Sequence, residues 1–170
     1  PPAEFMQLEE ELRKPLHPCV RLNLLKAEPV TIEQLVARYG WDVQAVPYCK
    51  SGWQVTSSPA PIAQTIEQRF GTYYIQEAAS MLPAELFDFS SAANPVILDM
   101  AASPGGKTTH LADRTRDQGL IVANDNSPDR ITALKLILQT WGVLNHAITQ
   151  FPGEMFGQWF PEKFDFVLLD

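Results

Sequence analysis

The chain has 170 residues, of which 45% are hydrophobic and 19% are charged, a composition typical of a globular protein with one domain or one domain and a small appendage. No apolar run approaches the roughly 20 residues that a membrane helix needs, so no membrane association is expected. A net charge of −7 argues against nucleic-acid binding by bulk attraction, which depends on clustered Lys and Arg. Two cysteines cannot form a disulfide framework, and they are consistent with a reducing, cytoplasmic setting.

Residues 1–60 are predicted to form a small α/β amino-terminal module. Its expected elements are a short acidic helix over residues 4–14, a strand over 20–24, a helix over 31–40, and two strands over 42–47 and 52–56. Thr31 is a good N-cap for the second helix, and Gly40 ends it. The Ser- and Pro-rich residues 57–61 are the predicted linker.

Residues 61–170 alternate between helices and apolar strands. The expected elements are a helix over 78–87, a strand over 95–99, a helix over 107–116, a strand over 119–125, a helix over 128–141, and strands over 146–149 and 164–169. Near-continuous apolar strands that alternate with helices predict a parallel sheet covered on both faces. In such sheets ligands bind beyond the carboxyl ends of the strands.

The strongest local signal is the loop between the strand over 95–99 and the next helix, Asp-Met-Ala-Ala-Ser-Pro-Gly-Gly-Lys-Thr over residues 99–108. Small residues at this place let a ligand approach the backbone, and exposed amides attract negative groups. Two ligands fit: a phosphate, or the methionine part of S-adenosylmethionine. A phosphate loop requires glycine where this chain has Ala101, although residues 166–170 would pass as a Walker B strand. A P-loop-like NTPase therefore stays open as an alternative.

Asp125 is the second signal, at the end of the following strand. An acid at this place commonly accepts hydrogen bonds from the ribose diol of a nucleotide-like cofactor. The alternative is a helix cap, because Ser127 and Pro128 follow. The loop and the acid together favour an adenosyl ligand.

Five segments in order resemble the Sun/Fmu-type RNA (cytosine-5) methyltransferases, closest to their RsmF-like ribosomal RNA branch. These segments are residues 21–26 (Arg-Leu-Asn-Leu-Leu-Lys), 74–81 (Tyr-Ile-Gln-Glu-Ala-Ala-Ser-Met), 98–112, 119–130 and 164–170. The resemblance implies a Rossmann-like S-adenosylmethionine-dependent methyltransferase sheet, incomplete in this chain, with the small α/β module before it. It also implies S-adenosyl-L-methionine as cofactor and RNA, ribosomal RNA in this branch, as substrate and partner.

The resemblance further implies roles for individual residues. The cofactor-binding set would be Ala101, Ala102, Ser103, Pro104, Gly105, Gly106, Lys107, Asp125, Arg130 and Asp170. Lys107 and Asp170 would also lie beside the reacting base, which makes them the catalytic candidates. Pro152 stands where the family usually carries an Asp that reaches the adenine, so the adenine contact is left open.

Methylation of carbon 5 of cytosine needs a thiolate that adds to carbon 6, and neither cysteine of this chain is expected to supply it. Cys19 lies in the amino-terminal module and Cys49 in a predicted turn, so both are expected to be structural. The family's cysteines follow the position of Asp170. We therefore expect a truncated, inactive fragment whose nucleophile lies outside it. A non-catalytic RNA-binding or assembly module is the second alternative.

Other residues carry weaker signals. His17, His110 and His146 share no metal-ligand spacing, so no metal site is predicted. Basic residues of the amino-terminal module could contact RNA: Arg13, Lys14, Arg21 and Lys26. A monomer is expected.

Overall fold

The computed structural model describes residues 2–13 and 16–170, and its strands form two sheets of four strands each. The first sheet has the order β2-β3-β1-β4 and is antiparallel throughout; its strands are β1 (Cys19–Leu22), β2 (Asp42–Ala45), β3 (Gly52–Ser57) and β4 (Tyr73–Ile75). The second has the order β7-β6-β5-β8 and is parallel; its strands are β5 (Val96–Asp99), β6 (Leu120–Asn124), β7 (His146–Thr149) and β8 (Phe166–Leu168). The predicted α/β class and parallel sheet are confirmed.

Seven α-helices accompany these strands in the described residues. They are α1 (Pro2–Leu12), α2 (Ile32–Tyr39), α3 (Ile66–Arg69), α4 (Ala78–Glu85), α5 (Gly106–Thr115), α6 (Pro128–Trp141) and α7 (Phe156–Trp159). The last residue of the first predicted helix, Lys14, lies outside the described residues. Throughout residues 2–13 and 16–170, every helix is too short or too polar to cross a bilayer.

The helix ends follow from local chemistry. Thr31 and Gln34 form a capping box at the start of α2, where each side chain bonds the other residue's backbone N–H. Gly40 ends that helix with φ +65°, a left-handed conformation that glycine adopts without strain. Pro128 begins α6 and Gly142, with φ +89°, ends it, so both bounds of this helix match the prediction.

The parallel sheet has a switch point between β5 and β8. In the order β7-β6-β5-β8, the chain starts at β5, moves outward through β6 to β7, and then returns to the other side of β5. This is the order of the first four strands of a Rossmann sheet, so the Rossmann-like prediction is confirmed. Ligands of such sheets bind beyond the carboxyl ends of the two strands at the reversal, which here are β5 and β8.

The antiparallel sheet includes a strand that sequence patterning did not predict. β4 pairs with β1, with Val20 opposite Ile75 and Leu22 opposite Tyr73. A strand of three residues is too short to show an alternating pattern. Since β4 lies beyond residue 60, the sheet continues past the predicted boundary between 1–60 and 61–170, and that division of the chain stays a prediction.

Each sheet has its own apolar core, and α4 links them. One core contains Val20, Leu35, Trp41 and Tyr73, all less than 4% exposed, and the other is built around the parallel sheet and α5 and α6. A third, smaller cluster packs Met81 of α4 against Cys19 and Cys49. Helix α4 therefore ties the antiparallel sheet to the rest of the molecule.

Candidate functional site

The first half of the loop after β5 is fixed by its own backbone amides. The Met100 N–H donates to the Leu168 carbonyl at 2.9 Å, and the Ala102 N–H donates to the Asn124 carbonyl at 2.7 Å. The Ser103 N–H donates to Oδ2 of Asp125 at 3.2 Å. A phosphate-binding loop needs such amides free for the ligand. Their use inside the protein argues against the NTPase alternative.

The second half of the loop favours glycine for two separate reasons. Gly105 has φ +116°, and a Cβ there would lie 3.0 Å from Cγ2 of Ile137. A Cβ on Gly106, the first residue of α5, would lie 3.1 Å from Cε1 of Tyr74. None of the described side chains caps this helix end. The first-turn amides of α5 are thus available to an anionic group.

A cleft of about 200 Å³ runs along this loop. Its wall from the loop and α5 contains six residues of the predicted cofactor set: Ala101, Ala102, Ser103, Pro104, Gly106 and Lys107. The opposite wall is formed by Tyr74, Gln76, Glu77 and Ser80. These four belong to the 74–81 segment that carries the family resemblance. The fold therefore places two of the resembling segments face to face.

Asp99, the last residue of β5, supports the loop from beneath. Its side chain is 1% exposed, and its Oδ2 accepts a hydrogen bond from Oγ1 of Thr108 at 2.6 Å. Burial raises the pKa of Asp99 to about 6. Hydrogen bonds from Thr108 and the Ala101 amide, together with the charge of Lys107, act in the opposite direction and lower the pKa. Asp99 therefore connects the end of β5 to α5 inside the protein.

Asp125 binds the loop and the start of α6 at once. Its Oδ2 accepts from the Ser103 N–H and contacts Nη2 of Arg130 at 3.5 Å, and its Oδ1 accepts from the Ser127 N–H at 3.0 Å. Arg130 also donates to the Ser103 carbonyl at 2.6 Å. The N-cap of α6 is Ser127 rather than Asp125, which instead bonds the Ser127 amide in the turn before the helix, and the predicted ribose contact would be an additional role. The Arg130 contact is the longest of those around this carboxylate, so a ribose diol would replace it most easily.

Lys107 and Asp170 form an ion pair across the switch point. Nζ of Lys107, in the first turn of α5, contacts Oδ2 of Asp170, which follows β8. Their side chains are 23% and 52% exposed, so both can be reached from solvent. The structure thus brings together the two residues predicted to lie beside the reacting base, although their roles stay predictions.

Asn124, which sequence reasoning missed, joins three strand ends. Its Nδ2 donates to the Met100 carbonyl at 3.1 Å and to the Phe151 carbonyl at 2.9 Å. Its Oδ1 accepts from Oγ1 of Thr149 and from the Phe151 N–H, both at 2.9 Å. The available signal was a polar residue at the end of an apolar strand, immediately before Asp125.

Pro152 follows these contacts and begins a short 3-10 turn over Gly153–Met155. Proline has no N–H, and its side chain accepts no hydrogen bond. The preceding residue, Phe151, has both backbone groups bonded to Asn124. Residues 151–152 therefore present no free polar group where the family's Asp would stand.

Of the basic residues that could contact RNA, Arg21 is not available for such a contact. Arg21 is 0% exposed, so its guanidinium cannot meet a macromolecule. Nζ of Lys26 donates to the Thr140 carbonyl at 2.8 Å and is also committed to an internal contact. Arg13 lies at the surface, 3.2 Å from the Glu9 carboxylate. The sequence offered no sign that Arg21 differed from its basic neighbours, because burial of an arginine depends on partners far along the chain.

Both cysteines are buried free thiols. Burial raises the pKa of Cys19 and of Cys49, so neither favours the thiolate form that a nucleophile needs. Cys49 lies 3.7 Å from Nε2 of His110, which is 2.9 Å from Oε1 of Glu85. Burial lowers the pKa of His110 to about 2, so its ring is neutral.

The spacing argument that predicted no metal site overlooked this cluster of Cys49, Glu85 and His110. Their ligand atoms lie within 4.8 Å of one another. Metal-bound imidazoles usually donate their second nitrogen to a partner, whereas Nδ1 of His110 has none among the described residues. The absence of a metal stays a prediction.

Comparisons with known proteins match both parts of the chain. A family model described as the N-terminal domain of 16S rRNA methyltransferase RsmF matches residues 2–78, and the 16S rRNA methyltransferase RsmB/F model matches residues 89–170. Ribosomal RNA small subunit methyltransferase F of Pectobacterium atrosepticum is 40% identical, over 99% of this chain and 38% of its own length. Its counterpart from Vibrio atlanticus is 39% identical, over 93% of this chain and 34% of its own length. The chain thus spans little more than a third of these relatives.

Solved structures agree with the sequence matches. A methyltransferase homologue from Pyrococcus horikoshii superposes with a TM-score of 0.86 at 36% identity, covering 97% of this chain and 53% of that one. NSun6 from the same organism, solved with SFG, gives a TM-score of 0.81 at 20% identity, over 99% of this chain and 66% of that one, which supports the fold alone. With both domain models matched in order and relatives at about 40% identity, the chain belongs to the RsmB/F family of 16S rRNA methyltransferases.

Proposed function

We propose that this chain is the cofactor-binding part of a ribosomal RNA cytosine-5 methyltransferase and that its loop over residues 99–107 binds S-adenosyl-L-methionine. The observation that carries the proposal is the position of this loop. It lies at the switch point of a Rossmann-like sheet, has at 105 a glycine with positive φ and at 106 a glycine packed closely against Tyr74, and has Asp125 at its side. When bound, the cofactor would supply an electrophilic methyl group on its sulfonium.

The residues of the cleft fit the separate parts of this cofactor. The uncapped first turn of α5 at Gly106 and Lys107 suits the methionine carboxylate, because helix N-termini attract anions. Asp125 would accept the ribose hydroxyls after the Arg130 side chain, which is 55% exposed, moves away from the carboxylate and gives up its bond to the Ser103 carbonyl. The adenine would meet the apolar surface at Phe151 and Pro152, where no carboxylate is present.

Lys107 and Asp170 would act at the reacting base. A cysteine thiolate would add to carbon 6 of cytosine, and carbon 5 would then take the methyl group that the cofactor supplies, with S-adenosylhomocysteine as the leaving group. A base would remove the carbon 5 proton, and the thiolate would leave. The paired ammonium and carboxylate stand at the switch point, where they can hold and move protons of the base. The buried thiols of Cys19 and Cys49 do not suit the nucleophile, so we assign it to residues outside this chain.

RNA recognition would depend on groove shape and on contacts outside the chain, because the net charge of −7 disfavours general attraction to phosphate. We assign ribosomal RNA as substrate and a cytoplasmic setting, in keeping with the bacterial relatives.

Calorimetry with two ligands tests the cofactor assignment. S-adenosylhomocysteine, the demethylated product, should bind the chain at one site, whereas ATP with magnesium should give no saturable heat. Binding of ATP alone would restore the NTPase alternative, and binding of neither ligand would refute the proposed site.

RNA that contains 5-fluorocytosine tests the assignment of the nucleophile. Fluorine at carbon 5 cannot leave as a proton, so a thiolate adduct is trapped and survives a denaturing gel. With S-adenosylmethionine present, the 170-residue chain should form no adduct, whereas a version extended through the family's cysteines should form one. An adduct on the shorter chain that vanished in Cys19→Ser or Cys49→Ser would show that a buried cysteine is the nucleophile.

A further inference from the structure

Arg21 is the most completely buried charged side chain in the described residues, and its partners come from both parts of the molecule. It lies on β1 of the antiparallel sheet with 0% exposure. Its Nη1 forms an ion pair with Asp113 of α5, and its guanidinium lies 4.6 Å from the centre of the Trp141 ring. Nε1 of Trp141 donates to the other Asp113 oxygen at 3.3 Å. These contacts lock the side chain in one orientation.

Two further N–H groups of Arg21 bond the wall of the cleft that is formed by the loop and α5. Its Nη2 donates to the Gly106 carbonyl at 3.1 Å and to Oγ1 of Thr109 at 2.6 Å. The Thr109 hydroxyl donates in turn to the same Gly106 carbonyl at 3.0 Å. The first turn of α5 is therefore held at Gly106, the residue that ends the loop.

Another donor of Arg21 bonds the opposite wall of the cleft. Its Nε donates to Oε1 of Gln76 at 3.2 Å, and Nε2 of Gln76 donates to the Ser80 carbonyl at 2.9 Å. Gln76 and Ser80 line the cleft across from Gly106. One planar guanidinium thus bonds both walls, and its rigid fork fixes the distance between them.

We propose that Arg21 is a positioning residue that sets the width of the cofactor cleft and thereby makes the amino-terminal module part of the methyl-donor site. The inference rests on the proposed function, since it assumes that this cleft holds the cofactor. Arg21 acts through Gly106 and Gln76 and touches no ligand. Cofactor affinity should therefore depend on a buried residue of the other sheet.

The first test compares Arg21→Met with Asn23→Ala in the full 170-residue chain. Asn23 is a matched control: it is buried two residues after Arg21, just beyond the end of β1, and its Nδ2 donates to the Gly71 and Trp141 carbonyls rather than to the loop. At a temperature where both variants are folded, Arg21→Met should bind S-adenosylhomocysteine at least tenfold more weakly than wild type. Asn23→Ala should bind it within twofold of wild type, even where its melting temperature falls.

A milder pair keeps the test decisive if Arg21→Met does not fold. Thr109→Val removes the hydroxyl between Arg21 and Gly106, and Thr115→Val makes the same change at the far end of α5, where Oγ1 bonds the Leu111 carbonyl at 3.0 Å. Thr109→Val should weaken binding threefold to tenfold and speed amide hydrogen exchange at residues 104–107. Thr115→Val should change neither quantity.

The outcomes separate the two proposals. If wild type binds no S-adenosylhomocysteine, the proposed cofactor site is refuted. If wild type binds it but Thr109→Val equals Thr115→Val in affinity and in exchange at residues 104–107, the cofactor site stands and the positioning role of Arg21 is overturned.

Discussion

The two sheets contribute to the candidate site in opposite ways. The parallel sheet provides residues at the cleft surface, including the loop after β5, Asp125 and the ion pair of Lys107 with Asp170. The antiparallel sheet provides support through the buried Arg21. Side chains that meet a ligand follow recognisable local patterns, whereas side chains that hold them in place depend on contacts between distant segments.

The same contrast holds for charge. Lys107 and Asp170 are paired but partly exposed, so solvent screens their attraction. Arg21 and Asp113 are 0% and 3% exposed at the side chain, and they depend on each other and on several hydrogen bonds. Substitutions in the first pair should therefore change cofactor and base chemistry with little loss of stability, whereas substitutions in the second pair should lower stability strongly, in addition to the effect of Arg21 on cofactor affinity.

The largest effect is expected for the stability of Arg21→Met. This change leaves Asp113 buried without its charged partner, which typically costs about 3–5 kcal/mol of unfolding free energy. Urea unfolding followed by tryptophan fluorescence measures it. Lys107→Met, in the screened pair, should lose less than about 1 kcal/mol. Equal losses for the two variants would mean that the buried pair of Arg21 and Asp113 and the partly exposed pair of Lys107 and Asp170 contribute alike to stability.

The pH dependence of Asp99 should give the next largest effect. Its folded pKa is raised to about 6 from 3.8, so the folded state holds a proton that the unfolded state has already released. The contribution of Asp99 to stability is therefore greatest below about pH 4, falls as the pH rises to about 6, and stays level above that. The loss is about 2–3 kcal/mol, at 1.36 kcal/mol for each pKa unit.

Asp99→Asn isolates this contribution because the amide keeps an oxygen for the Thr108 hydroxyl and does not titrate. Unfolding free energies measured from pH 4 to pH 7 should fall by about 2–3 kcal/mol more in wild type than in the variant. If the unfolding free energies of the two proteins changed in parallel with pH, Asp99 would ionise normally and would not be buried in the way described above.

Asp125→Ala should weaken cofactor binding by about 1–3 kcal/mol, the usual loss when buried polar groups are left without a partner. The change removes the acceptor of the Ser103 and Ser127 amides together with the proposed ribose contact. Calorimetry with S-adenosylhomocysteine measures it. Asp129→Ala, in the first turn of the same α6, is the control and should bind like wild type. Unchanged affinity in Asp125→Ala would remove Asp125 from the site.

The last prediction concerns the reactivity of the cysteines. Because both thiols are buried and their pKa values are raised, a thiol reagent at pH 7.5 should modify them at least about a hundredfold more slowly than free cysteine. Both should react at once in denaturant. Rapid modification of Cys49 in the folded chain would mean that the turn opens and exposes a competent nucleophile.

The parts of the molecule that could be predicted are those for which short-range patterns in the sequence are sufficient. Continuous apolar strands such as β5, and caps such as Pro128 and Gly142, gave the parallel sheet and its helices nearly to the residue. The strand β4 escaped because its three residues carry no periodicity and their pairing partner lies more than 50 positions away.

The site divides in the same way. The loop over residues 99–107 could be recognised because its glycines and other small residues form a short continuous run in the sequence. Arg21 could not, since its partners Gln76, Gly106 and Asp113 are 55 to 92 positions away. A surface cation and a buried one look alike until the fold is known, which is why Arg21 was grouped with the basic residues that could contact RNA.

An NMR titration of the ¹⁵N-labelled chain with S-adenosylhomocysteine tests the central claim most directly, because it locates the bound cofactor. The account predicts that the largest amide shifts fall at Gly105, Gly106, Lys107 and Asp125, with smaller shifts at Gln76 across the cleft and none in α1. Saturable shifts centred on any other part of the chain, or shifts at the loop caused equally by ATP, would contradict it.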